Sequence, residues 1–322
     1  MRRRAFLLTL GWVAAAPAFA ARAQEKGRVY RIGFLRNGAP PPSFIEPLRQ
    51  GLRQLGYIEG QNVSIEFGLA DSAERLPEAA AELVRRRVDV IIASGTPPVP
   101  AAKSATQTIP IVFVASIDAV ATGTVASLAR PGGNITGFTA ISAELMGKRL
   151  ELLREIVPGL SRVAILCQEK NPGNAEYLRQ AELAADHLGV SARIVTVHDP
   201  GDFPRAFAEM RDASAVIQLE DVLFTSHRKQ MVELAAENRL PVMYGIREFV
   251  DVGGLMTYGP DLRDQYRQAA TYVDKIFKGT KPADLPVQQP TKIEFLINVK
   301  TAQAIGLVIP APILLRADQI IE

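Results

Sequence analysis

From residue 30 onward the chain alternates short apolar runs with stretches in which apolar residues recur every three or four positions, the rhythm of a strand followed by a helix. Residues 31–35 read as the first strand. Phe44, Ile45, Leu48, Leu52 and Leu55 then share one helical face that stops at Gly56. Val63, Ile65 and Phe67 alternate with Ser64 and Glu66, which predicts a strand at a sheet edge with one face less covered. Leu76, Ala79, Ala80, Leu83 and Val84 give the next helical stripe, and the continuous apolar runs 88–93 and 111–115 read as buried central strands. After a break at Gly132-Gly133-Asn134 the rhythm restarts. It predicts a helix over 144–156, strands at 163–167, 192–197, 215–219, 241–244 and 255–258, and helices centred on Ala181, Phe207, Leu234 and Glu248. A late helix carrying Tyr266, Ala269, Ala270, Val273, Ile276 and Phe277 leads to a proline-punctuated passage near Pro290.

Strands alternating with helices predict an α/β fold, here two doubly wound parallel-sheet lobes joined by a multi-crossing hinge. The first lobe is expected over residues 28–140 plus about 262–290, and the second over 141–261 plus about 291–322. Crossings fall near 138–141, 259–262 and 290–293. In such a fold a ligand sits outside the carboxyl ends of the strands, where loops of both lobes face one another.

The first residues change this picture. Arg2, Arg3 and Arg4 precede an apolar stretch at 5–16 that runs into small residues, the layout of a secretory signal peptide over 1–23. The stretch is shorter than the roughly 20 apolar residues of a membrane-spanning helix. Arg3-Arg4-Ala5-Phe6-Leu7 also fits the twin-arginine pattern, so both export routes stay open. Residues 1–23 carry four arginines and no acidic residue, so removing them takes the formal charge from +3 to −1. The basic balance belongs to the discarded segment, and nucleic acid is not an expected partner. Cys167 is the single cysteine: no intramolecular disulfide forms, and none stands after the signal segment to take a lipid anchor. The expected location is the periplasm, as a monomer.

A reactive constellation is missing. His187, His198 and His227 are not paired at metal-ligand spacing, and Cys167 reads as a buried small residue at a strand end. There is no Gly-x-Ser-x-Gly elbow and no phosphate loop, so neither catalysis nor a cofactor is expected. Small polar residues gather instead at strand ends. Ser94-Gly95-Thr96 leads into a helix, so its hydroxyls and N–H groups either hold an anionic group or cap that helix. Ser116 and Asp118 follow the next strand, and Glu220 and Asp221 follow a strand of the other lobe. These acids suit an ammonium group or sugar hydroxyls, or else serve as helix-start residues. Tyr244 ends its strand where it either stacks on a ligand or packs in the core, and Thr139 lies at the first crossing.

Several runs carry a resemblance: Gly51-Leu52-Arg53-Gln54-Leu55-Gly56-Tyr57, Arg130-Pro131-Gly132-Gly133-Asn134-Ile135-Thr136-Gly137, Tyr244-Gly245-Ile246-Arg247-Glu248, Gly253-Gly254-Leu255-Met256-Thr257-Tyr258-Gly259-Pro260 and Leu285-Pro286-Val287-Gln288-Gln289-Pro290. With them the chain resembles the ABC transporter substrate-binding proteins, the group that includes TrpX-like proteins. The resemblance implies the type I periplasmic-binding fold, a small-molecule solute, amino acids among the ligand class, and ABC permease subunits in the inner membrane as partners. A sensing role, in which the solute is shown to a membrane receptor or kinase, stays open beside import. The resemblance also implies that the loops 94–96 and 116–118 and Asp221 line the cleft. Two departures stand out. Arg36-Asn37 follows the first strand where many relatives have small residues, and Ser116-Ile117-Asp118 replaces a loop usually richer in glycine. Arg36, turned inward, would favour an acidic or aromatic-acid ligand.

Overall fold

The computed structural model describes residues 28–140, 143–171 and 173–322, so the signal segment lies outside the described residues. The first half runs β1 (Tyr30–Asn37), α1 (Pro42–Gln54), β2 (Val63–Ala70), α2 (Leu76–Arg85), β3 (Val90–Ser94), α3 (Pro98–Ala105), β4 (Ile111–Ile117) and β5 (Ile135–Ala140). After α4 (Met146–Ile156) come β6 (Arg162–Gln168), α5 (Asn174–Leu188), β7 (Ser191–Val197), α6 (Phe203–Glu209) and β8 (Ala215–Gln218). Then follow α7 (Val222–Ser226), α8 (Arg228–Glu237), β9 (Val242–Tyr244), α9 (Arg247–Val250) and β10 (Met256–Pro260). The chain ends with α10 (Leu262–Phe277), β11 (Ile293–Asn298), α11 (Val299–Ala304), α12 (Ala311–Leu314) and β12 (Gln319–Ile321).

The strands form two sheets, β2-β1-β3-β4-β5 and β12-β11-β10-β9-β8-β6-β7, each the floor of one α/β lobe. All pairs in the first sheet are parallel, and β2 stands at its edge as the alternation in 63–67 predicts. Its central strands β3 and β4 are apolar runs buried on both faces, as a sheet covered by helices on each side requires.

Three strands escape the hydrophobic pattern: β5, β11 and the short β12. Residues 135–140, which follow the predicted break at 132–134 and run into the predicted crossing at 138–141, form β5, which pairs with β4; Thr136, Gly137 and Thr139 dilute the apolar signal there. Residues 293–298, which begin at the end of the predicted crossing 290–293 and carry no predicted element, form β11, which runs antiparallel to β10, so the second sheet is mixed. The reason is connectivity. β10 ends at Pro260, the chain leaves for the first lobe as α10, packing along α1, and it returns beside its point of departure, where the Asp261 N–H donates to the Lys292 carbonyl at 3.1 Å. A strand starting at the end of its neighbour can only run back along it. Before returning, Gln288 bonds both Gly137 and Thr139 of β5 through its backbone. The polypeptide therefore passes between the lobes three times.

Candidate functional site

The carboxyl ends of β1, β3, β4 and β5 face those of β6, β8, β9 and β10 across a narrow cavity of about 40 Å³. Its walls are mostly apolar, with Phe44, Pro97, Ile117, Val222, Ile246 and Leu262 among them, and its charged side chains are Arg36, Glu220 and Asp221. Arg36 leaves the end of β1 and is 2% exposed. Its Nη1 donates to Ser94 Oγ at 2.9 Å, that oxygen lies 2.5 Å from the Tyr266 hydroxyl, and the guanidinium stands 5.4 Å from the Phe44 ring centre. Nε and Nη2 of Arg36 find no hydrogen-bond partner among the described residues. Burial pulls the Arg36 pKa down, against the attraction of Tyr266, Asp221 and Glu248.

On the facing lobe Asp221 caps α7, accepting from the Leu223 N–H at 2.6 Å, and takes a second bond from Asn171 Nδ2 at 2.6 Å. Its carboxylate opens onto the cavity yet sits deep among protein atoms, and this burial raises its pKa to about 6. Capping and cleft lining thus coincide in one residue. Glu220 beside it is held by Arg149 of α4, at 2.5 and 3.3 Å, and Arg149 Nε also donates to the Tyr258 carbonyl at 2.8 Å. Arg149 is wholly buried. Burial alone would raise the Glu220 carboxyl, but the guanidinium outweighs it and holds the pKa down.

Among the other residues expected at the site, Gly95 and Thr96 line the cavity, and Thr96 Oγ1 accepts from the Ile117 N–H at 2.9 Å. The helix-start donors expected behind them are depleted, because Pro97, Pro98 and Pro100 carry no N–H. Ser94 reaches the cavity only through Arg36, and Asn37 is half-buried at the end of β1. Ser116 is buried with its hydroxyl unpartnered among the described residues. Asp118 and Thr139 line a separate hollow of about 210 Å³ that shares Ile117 and Ala140 with the cleft and reaches Gln289 at a crossing. Asp118 there holds its own turn, accepting from Ala121 N at 2.9 Å, while Thr139 donates to the Ser116 carbonyl at 2.9 Å. Tyr244 is 1% exposed and stacks on Phe249 at 4.6 Å, packed in the second lobe and absent from the cavity wall. The loop from β4 is strained: Ala115 and Asp118 take φ of 57° and 31°, and the β4–β5 register shifts between Val114 and Ser116.

The lobes touch around this cavity. Two glycines of the first lobe meet the second directly. A Cβ on Gly95 (φ 95°) would stand 2.5 Å from Val222 Cγ2, and one on Gly38 (φ 70°) would stand 2.5 Å from Ser226 Oγ. Arg263 of α10 pairs with Asp251 across the gap, and its Nε lies 3.9 Å from the buried Glu248 carboxylate. Cys167 is enclosed at the end of β6, where burial pushes its thiol up to about 11, away from the reactive thiolate.

A family profile described as ABC transporter substrate binding protein matches residues 43–321. The chain is 25% identical over 267 residues to the tyrosine-binding protein of Clostridioides difficile (strain R20291), an overlap of 80% of this chain and 75% of that protein. Its structure is similar to that of a conserved domain protein of Vibrio cholerae, with a TM-score of 0.85 and 26% identity over 91% of this chain and 100% of the other. It is also similar to the ABC domain from Streptococcus pneumoniae in complex with L-Trp, with a TM-score of 0.82 and 24% identity over the same shares.

Proposed function

This chain belongs to the family of ABC transporter substrate binding proteins and has the type I periplasmic-binding fold, and from that premise we propose that it captures one small solute, an amino acid or a related carboxylate, between its lobes. On this reading the chain is exported to the periplasm and delivers its solute to permease subunits in the inner membrane. One observation carries the proposal: opposite charges, Arg36 and Asp221, stand on the two sides of a mostly apolar cleft whose remaining charge, Glu220, is paired with Arg149. A zwitterion with an apolar body complements that arrangement, and the tyrosine and L-Trp of the similar proteins are molecules of this kind. Closing two lobes on a ligand needs only small changes at connecting residues, and three crossings supply them. The test is a thermal-shift screen of the purified chain against amino acids, aromatic acids and sugars, because a ligand that binds only the folded state raises its melting temperature. A rise with at least one amino acid or carboxylate is expected, and a flat response across the whole set would refute the proposal.

Asp221 adds a pH signature. In the unliganded cleft its carboxyl titrates at about 6, and a ligand ammonium group beside it favours the ionised form. Binding below that pH must therefore expel a proton, so affinity for an amino acid falls as pH drops, by about tenfold from pH 7 to pH 5. Asp221→Asn is expected to weaken binding about tenfold or more at pH 7 and to flatten the profile. Calorimetry at the two pH values reads both effects, and a wild-type dissociation constant that ignores pH would remove Asp221 from the site.

A further inference from the structure

We infer that Arg36 is the carboxylate receptor of the cleft, and that the solute must carry an acidic group on the side facing the first lobe. The inference rests on the cleft-binding proposal and adds to it the residue that selects the ligand class.

The argument begins with the two unpartnered donors. A guanidinium offers two kinds of edge, and the edge formed by Nε and Nη2 presents two parallel N–H groups at the spacing of the two oxygens of a carboxylate. Among the described residues that whole edge of Arg36 is left without hydrogen-bond partners, while Nη1 is tied down by Ser94. Ser94 is itself fixed by Tyr266, whose ring stacks on Phe44 at 4.6 Å, and Phe44 underlies the guanidinium. The plane of Arg36 is thus locked by contacts that leave the carboxylate-binding edge free.

A buried donor without a partner costs free energy, and a buried unpaired cation costs more. The attractive acids nearby, Asp221 and Glu248, act on Arg36 at a distance without hydrogen-bonding it. Glu220 is already committed to Arg149. No described residue hydrogen-bonds this edge, and the edge belongs to a residue that lines the cavity. A ligand carboxylate satisfies both donors and the charge at once. A neutral sugar satisfies neither the charge nor the fork, and a cation is repelled.

The experiment uses matched probes that differ only in the acidic group: 4-hydroxyphenylacetate against 4-hydroxyphenylacetamide, and L-tyrosine and L-tryptophan against their amides, titrated into the purified chain by calorimetry. Wild type is expected to prefer the acid of the pair it binds by about a hundredfold, the scale of a lost charged hydrogen-bond pair. Arg36→Gln is expected to bring acid and amide within about fivefold of each other, and Arg36→Lys, which keeps the charge but not the fork, to fall between. Ligand-free Arg36→Gln should melt at the wild-type temperature or above it, because an unpaired buried charge has been removed; a merely structural arginine would give a lower one. An acid preference in wild type that persists unchanged in Arg36→Gln would overturn the role of Arg36 while leaving cleft binding intact. If no probe binds wild type while a solute without an acidic group raises its melting temperature, this inference falls and cleft binding stands; if the whole thermal-shift set is flat as well, both fall.

Discussion

Gly95→Ala is expected to fold cooperatively yet bind its solute about a hundredfold more weakly than wild type. The cause is a collision between lobes. The added methyl would stand 2.5 Å from Val222 Cγ2, inside van der Waals contact, at a backbone φ of 95° that disfavours any side chain. Within one lobe Gly95 has room, so the sheet still forms; the methyl acts as a wedge only when the lobes approach. Apparent affinity falls in proportion to the population of the binding-competent arrangement, and a hundredfold fall corresponds to about 2.7 kcal/mol set against closure. Small-angle scattering should show no contraction on adding ligand. Val222→Ala in the same chain removes the colliding methyl and is expected to restore most of the affinity, which a general folding defect would not allow. Affinity within threefold of wild type in Gly95→Ala alone would show that the lobes need not approach at this point.

Arg149→Met is expected to lower the free energy of unfolding by about 3–5 kcal/mol at pH 7. The side chain is wholly buried and holds Glu220, which is 14% exposed, together with a carbonyl of β10. Methionine fills much of the volume but leaves the carboxylate enclosed without its cation. The pH dependence should change sign. In wild type the Glu220 pKa is held low, so its contribution is present at neutral pH and is lost as pH falls through the folded-state value. In Arg149→Met the main opposition to burial is gone and only the weaker hydrogen bonds from Tyr177 and the backbone remain, so that pKa rises and the variant regains stability as pH falls from neutral toward 4.5. Adding Glu220→Gln should recover most of the loss at pH 7. Denaturant unfolding at two pH values measures all of this, and a loss under about 1 kcal/mol would mean that Glu220 is effectively hydrated.

Particular residues show how far the pattern of the chain carries. The runs at 88–93 and 111–115 are legible because a strand buried on both faces must be apolar throughout. β5 is hidden because two threonines and Gly137 occupy it, with Gly132-Gly133 just upstream. β11 is hidden because Glu294 interrupts its apolar run, and that charge is tolerated inside the second lobe because Arg247 reaches it at 2.9 Å, a contact 47 residues distant in sequence. At the site, the strand-end rule brings Arg36, Gly95, Thr96 and Asp221 to one cavity but cannot separate them from Tyr244, which ends its strand equally well and packs on Phe249. The rule gives the end of a strand and leaves open the direction of each side chain. Phe44, Ile246 and Leu262 were beyond reach for another reason: an apolar residue lining a cleft has the same sequence signature as one filling a core. Asn171, three residues past the end of β6, obeys the strand-end rule and could have been found by applying it to that strand as well.

The second passage of the polypeptide between lobes, which carries α10 back to the first, also dictates an order of events in synthesis. One face of the amino-terminal half is completed by Tyr266, Ala269, Ala270 and Val273, residues made only after β6 to β10 of the opposite half. Until then the apolar stripe of Phe44, Ile45, Leu48 and Leu52 lacks its covering helix. The nascent amino-terminal half therefore carries an open hydrophobic flank for most of translation, an obvious hold for a chaperone or a secretion factor, and the molecule reaches its native shape only when almost the whole message has been read.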